Sequence, residues 1–491
     1  MDASHGPSDR PAGADERDNY KSPLSTRYAS EAMRRNFSER KKFGLWRQLW
    51  VALAEHEREL GLPIRAEQVA ELRAKVDDID FAAAERFERE LRHDVMAHVH
   101  AYGEQCPGAR AIVHLGATSC YVTDNAELIQ IRDGLAILRG QLVSTIAKLR
   151  DFAHEHRELP TLGFTHFQPA QATTVGKRAC LWIQDLVANV EDLDHAEAHL
   201  RFRGVKGATG TQASFLELFD GDHEKVRELD RRITRTMGFE RVFGVTGQTY
   251  PRLADFRVAQ VLSAIAQSAH KFATDLRLLA HRKELEEPFE DKQIGSSAMP
   301  WKRNPMRSER ICALARFAIG LLDNCAHTAA NQWLERTLDD SANRRLAISE
   351  LFLAVDAILQ LYMNVSAGLV VYPAVIRRNL LEELPFLASE HLMMEAVKAG
   401  GDRQSVHEAL RVHAREAARI IKVEGGRNTL RERLAADPAF AAVAPRLESL
   451  LDPARYVGRA PNQVLEYLAE EVDPLLARHA GLIGATGVVR V

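Results

Sequence analysis

Cysteine is scarce and odd in number: Cys106, Cys120, Cys180, Cys312 and Cys325 in 491 residues, with no CxxC pair among them. That excludes a disulfide framework and a zinc ribbon. Each thiol reads as a small buried hydrophobe in a reducing, cytoplasmic compartment. No sign of charge dominates: 65 Lys and Arg stand against 68 Asp and Glu, a formal charge of −3. The balance argues against a nucleic-acid or membrane-surface protein and leaves open a local basic pocket for an anionic small molecule. No apolar stretch reads as long enough to span a bilayer. The N-terminal MDASHGPSDRPAGADERDNYKSP lacks the apolar core of a signal peptide, and residues 1–20 read as a disordered tail. Neither GxGxxG nor GxxxxGKS/T occurs, and His93, His98 and His100 lack metal-ligand spacing. The residues therefore give no expectation of a nucleotide cofactor or a metal.

Proline is absent where long helices need room. None occurs between Pro107 and Pro160, between Pro169 and Pro251, or between Pro305 and Pro373. Apolar residues there and nearby recur in steps of three and four. One seam is Leu128, Ile131, Leu135, Leu138, Leu142 and Leu149, with a polar slot at Thr145. A second is Leu262, Ile265, Ala269, Phe272, Leu276 and Leu279. A third is Ile348, Phe352, Val355, Leu359 and Tyr362. Such seams suit near-parallel helix packing, and three of them over more than 200 residues predict a long bundle. Shorter helical patterns flank it, with breaks such as AGGDR (399–403) and EGGRN (424–428). The expected architecture is all-α: an N-terminal helical domain over 21–118, a central long-helix bundle over 119–371 and a C-terminal helical domain over 372–491. Little strand is expected, and no internal repeat is present.

Six polar islands interrupt the periodicity. They are SPLSTRY (22–28), RHDVMAHVH (92–100), HLGATSCYVTDN (114–125), GFTHFQPAQATTVGKR (163–178), QIGSSAMPWKRNPMRSER (293–310) and ERTLDDSANRR (335–345). Singly, each has an ordinary reading. Ser341 fits a helix N-cap, and the three histidines of RHDVMAHVH fit the polar face of an exposed helix. The fifth island is harder to dismiss. Gly295, Ser296 and Ser297 supply a flexible backbone and hydroxyls; Lys302, Arg303 and Asn304 add donors; Pro300 and Pro305 keep the run out of a helix. So many donors in one loop suit an anion, or a carboxylate on which charge grows during reaction.

GSSAMPWKRNP resembles the GSSxMPxKxNP loop of the fumarase/aspartase superfamily, with Trp301 at a variable site. RHDVMAHVH, GATSCYVTDN, THFQPAQ with TTVGKR, RFRGVKGATGTQASF (201–215) and RTLDDSANRR are most similar to the animal-type adenylosuccinate lyase family. The resemblance runs from about residue 20 to near the C-terminus. It implies a three-domain helical fold whose bundle forms the core of a homotetramer, with each active site built from three subunits. It implies β-elimination of fumarate from adenylosuccinate, giving AMP, and from the succinyl-carboxamide ribotide SAICAR, giving AICAR, with no metal or organic cofactor. By the same resemblance Ser296 is the base, with Ser297 as the alternative, and His166 the general acid. Lys302 and the N–H groups after Gly295 are expected to activate the serine, and His93 to lie near the phosphate or support the acid. The loop is also expected to close over substrate. Arg27, Tyr28, Arg92, Asp94, Thr118, Ser119, Thr165, Gln248, Asn304, Arg310, Arg336, Ser341 and Arg345 would bind substrate. Two other readings stay open: another fumarate-releasing lyase, such as argininosuccinate lyase or fumarase, and a helical scaffold without activity.

Overall fold

The computed structural model describes residues 18–487, so most of the expected tail lies outside the described residues. Five long helices form the centre: α1 (Ser119–Glu155), α2 (Val175–Ala198), α3 (Leu253–His281), α4 (Met306–Ala330) and α5 (Asp339–Ala367). Four of them fill the proline-free intervals, and α3 runs between Pro251 and Pro288. Every residue of the three expected seams is buried, and most belong to one continuous core. Within it α1 packs on α2 and α5, while α4 lies between α3 and α5. The polar slot at Thr145 is also buried; its hydroxyl donates to the Gln141 carbonyl one turn back, 2.8 Å away, so no donor is orphaned.

Two smaller cores flank the bundle. The N-terminal one gathers Leu45–Tyr121 side chains with the start of α1 and with residues of 202–250, including Phe202, Phe215 and Tyr250. The C-terminal one joins short helices between Leu384 and Leu451. Beyond it, Val464, Leu468, Val472 and Leu475 return to pack on the bundle. The fold is all-α, with two small two-stranded sheets among the described residues.

Four expectations need correction. α5 is long and apolar enough, by length and composition, to cross a membrane, but 72% of its apolar window is buried, as befits a core helix of a bundle. The island 163–178 is not an open loop. Its first part is an antiparallel hairpin, β1 (Pro160–Thr165) and β2 (Gln168–Thr174), closed by the Thr165–Gln168 pair and leading into α2. Ser341 is not an N-cap; α5 starts at Asp339, so Ser341 lies in its first turn. His98 does not face solvent: it stacks on Phe43 and meets the edge of Trp46, 52 residues away in sequence.

Candidate active site

Helix length separates most of the expected site residues into two sets. α1 has 37 residues and so rises about 55 Å at 1.5 Å per residue. Thr118 is its N-cap and Ser119 its first residue, while the hairpin carrying His166 follows its C-terminal end. α3 has 29 residues, a rise of about 43 Å. Gln248 precedes its start, and the loop carrying Ser296 follows its end. The two far segments meet: Arg282, just past α3, lies over the Phe164 ring of the hairpin at 4.8 Å.

At the near end Arg92, His93, Asp94, Thr118, Ser119, Gln248, Arg336, Ser341 and Arg345 line one cavity of about 730 Å³. The N-terminal residues of three helices face it: α1, α5 and the helix Asp94–Gln105. Exposed N–H groups at helix starts favour anions, and neither α1 nor α5 has a side-chain cap occupying them. His93 caps Asp94–Gln105. Its Nδ1 accepts the Met96 N–H at 3.3 Å, and its Nε2 lies 3.4 Å from Ser119 Oγ. Arg345 donates to Asp94 at 2.8 Å, and the Gln248 amide approaches Thr118 Oγ1 at 3.5 Å. Arg92 ends the preceding helix in the left-handed region, φ 55°.

The inner wall of the cavity is a buried ionic lattice that the sequence reading did not single out. Arg252 bridges Asp340 (2.7 Å) and Asp124 (3.0 Å), tying the starts of α3, α5 and α1 together. Asp340 also accepts from Arg336 at 3.2 Å, and so holds a residue of the cavity wall. Arg344 donates to Asp255, Glu127 and the Tyr250 hydroxyl at 2.7, 2.5 and 2.6 Å. Arg203 fixes the Gln248 backbone carbonyl at 2.8 Å. Burial pushes the Asp124 carboxyl up, but Arg252, Arg344 and Arg203 outweigh it and hold the group below the usual carboxylate range. Asp340 and Arg344 sit inside a polar island; nothing in sequence spacing distinguishes Arg252 from a solvated charge.

At the far end His166 and Phe167 form the two-residue tip of the hairpin, both left-handed with φ 52° and 57°. A tip of this kind normally takes Asn-Gly; histidine and a bulky aromatic there carry strain, of the sort that accompanies sites of function. The tip is exposed, as is Thr165. Gly163 sits at the register shift in β1, where a Cβ would press on the Gln171 carbonyl.

The loop 291–305 is closed at its neck. The Asn304 amide donates to the Gly295 carbonyl at 2.8 Å, and a Cβ on Gly295 would overlap the Lys302 carbonyl. Glu287 accepts the N–H groups of Arg307 and Ser308 and the Ser308 hydroxyl, each at 2.9 Å, anchoring the start of α4. Within the tip the Met299 N–H donates to Ser296 Oγ at 3.2 Å. The Lys302 N–H donates to the Met299 carbonyl at 3.0 Å, while its ammonium makes no hydrogen bond or ion pair among the described residues. Ile294 and Trp301 are exposed. Asn304, expected on substrate, spends one amide hydrogen on the loop itself. Arg27 and Tyr28 lie on a short turn along the bundle, with the Arg310 guanidinium 5.6 Å from the Tyr28 ring.

The chain matches a lyase family model over residues 26–320 and a model described as the adenylosuccinate lyase C-terminus over 385–467. It is 52% identical to an adenylosuccinate lyase of Saccharomyces cerevisiae, covering 94% of this chain and 96% of that one. It is 50% identical to an adenylosuccinate lyase of Schistosoma mansoni, covering 94% and 97%. Among solved structures it resembles the 3-carboxy-cis,cis-muconate lactonizing enzyme of Pseudomonas putida, with a TM-score of 0.80 at 25% identity, covering 91% and 98%. The chain belongs to the adenylosuccinate lyase family.

Proposed function

We propose that the chain cleaves adenylosuccinate to AMP and fumarate, and SAICAR to AICAR and fumarate, as steps of purine nucleotide biosynthesis. The observation that carries this beyond family membership is the cavity at the near end. Segments far apart in sequence place arginines, hydroxyls and three helix starts around one space, which suits a nucleotide with a phosphate and two carboxylates. The yeast and Schistosoma relatives named above are both adenylosuccinate lyases, and no observation favours a different fumarate-releasing lyase or an inactive scaffold.

In the proposed reaction Ser296 takes the proton from the carbon beside a carboxylate. The electron pair of that C–H bond forms the fumarate double bond as the C–N bond breaks, and His166 protonates the leaving nitrogen. A serine hydroxyl is a weak base and must be activated. The Met299 N–H already directed at Ser296 Oγ stabilises an alkoxide there, and Lys302 is available to add positive charge. Thr165 accompanies His166. Arg27, Tyr28, Arg310 and Asn304 complete the substrate contacts, with Ser297 as the alternative base. The loop closes over substrate as a lid.

Because the two sets of residues sit at opposite ends of helices about 43 and 55 Å long, one chain cannot present both to a single substrate. We therefore place the far-end residues of one copy over the cavity of another, in a homotetramer whose bundles pack together, with sites shared among three subunits. The domain limits 21–118, 119–371 and 372–491 belong to the same reading. So does a cytoplasmic location, which five buried free thiols suit. The test is an ultraviolet assay of purified protein with adenylosuccinate in the presence of a chelator, following substrate absorbance and fumarate. Turnover is expected; none from assembled, folded protein would contradict the proposal.

A further inference from the structure

We infer that Lys42 binds a substrate oxyanion in the near-end cavity; this rests on the reading of that cavity as the nucleotide-binding half of the active site. Lys42 belongs to the helix Glu39–Glu59 of the N-terminal region and lines the cavity beside Arg345. Its neighbours in sequence, ERKKFG, give no hint of this, and the expected site residues do not include it.

Charge around the cavity is unevenly matched. Four of the six cations lining the cavity are committed to carboxylates: Arg252 to Asp124 and Asp340, Arg336 to Asp340, Arg344 to Asp255 and Glu127, Arg345 to Asp94. Lys42 and Arg92 are not. Among the described residues the Lys42 ammonium has no hydrogen bond and no ion pair. It rests 5.2 and 5.1 Å from the ring centroids of Phe43 and Trp46, contacts that hold the side chain in place without neutralising it. Burial, and next Arg345, push its pKa down against the pull of Glu127, Asp94 and Glu39. Two of those carboxylates are already engaged, Glu127 by Arg344 and Asp94 by Arg345. A half-buried, fixed and uncompensated ammonium facing a polar cavity gains most from an incoming anion. The substrate offers two kinds, phosphate and carboxylate, and the same ammonium suits either.

Lys42→Met and Lys42→Arg, made in the full-length protein, separate this from a packing role over the aromatic rings. For Lys42→Met, KM for adenylosuccinate should rise roughly tenfold or more while kcat changes less than about threefold. Lys42→Arg should restore KM to within about threefold, because it keeps the charge. Product inhibition then locates the contact. Weaker inhibition by AMP with unchanged inhibition by fumarate puts Lys42 on the phosphate, and the reverse puts it on a carboxylate. AMP binding by calorimetry and fumarate protection against thermal unfolding read the same residue without turnover, so an inactive wild type would count against the proposed reaction and not against this site. An unchanged KM together with unchanged affinity for both products would overturn the inference, as would a lowered melting temperature with KM unmoved.

Discussion

Removing Arg252 tests whether the lattice lining the cavity is a structural unit. In Arg252→Met the stem volume is kept and the guanidinium is lost, so Asp124 and Asp340 stay buried with less compensation. Breaking a buried pair by deleting one partner costs about 3–5 kcal/mol. Here Asp340 keeps Arg336 at 3.2 Å and Asp124 keeps the Tyr250 N–H at 3.1 Å, which places the expected loss near the lower end, about 3 kcal/mol per chain. Guanidinium titration followed by circular dichroism reads it as a lowered midpoint. Asp340 would then be held by Arg336 without its Arg252 anchor, so the cavity wall loosens and KM should rise along with the loss of stability. A second variant separates charge from packing. Arg252→Met combined with Asp124→Asn and Asp340→Asn removes the uncompensated charges and should recover at least about half of the lost stability. The reasoning is refuted if Arg252→Met stays within about 1 kcal/mol of the parent, or if the triple variant is no more stable than the single one.

Two further outcomes follow from local structure. Burial, and then Arg47, lower the His98 pKa to about 4, with Asp94 opposing and Lys42 assisting. The folded state therefore binds fewer protons than the unfolded one between about pH 4 and 6.5, and stability falls as pH drops through that window. The full loss is about 3 kcal/mol at 1.36 kcal/mol per unit. His98→Phe, which can still stack on Phe43, should remove most of that acid slope in denaturation midpoints, and an unchanged slope would refute the assignment. Gly295→Ala forces the loop neck apart at Lys302 and should lower kcat by roughly tenfold or more with unchanged circular dichroism; full activity would show that the closed neck is not needed.

The bundle was legible because its physics is local and periodic: a step of three and four positions puts Leu135, Phe272 or Tyr362 on one face, and that face is buried. The loop around Ser296 was legible because its prolines and glycine exclude a helix. The hairpin was not, since His166-Phe167 lacks the Asn or Gly that ordinarily marks a two-residue turn, and QPAQATT has little β-branched content. The burial of His98 depends on Phe43 and Trp46, partners that no window around it contains. Arg252 and Arg344 read as surface charges because only tertiary contact turns a charge into a buried bridge. The separation of the expected site residues between two ends follows from helix lengths, and becomes visible only once Thr118 and His166 are placed at opposite ends of one of them.

The most direct test of the shared site is complementation. His93→Gln disables the cavity end and Ser296→Ala the far end, and each alone should be nearly inactive. When equal amounts are mixed and reassembled, a site drawing His93 and Ser296 from different copies finds both intact about a quarter of the time, so about a quarter of wild-type activity should return. If both residues of a site came from one chain, every site would carry a defect. Activity no higher than that of the separate variants, from mixed assemblies shown to contain both, would contradict the account.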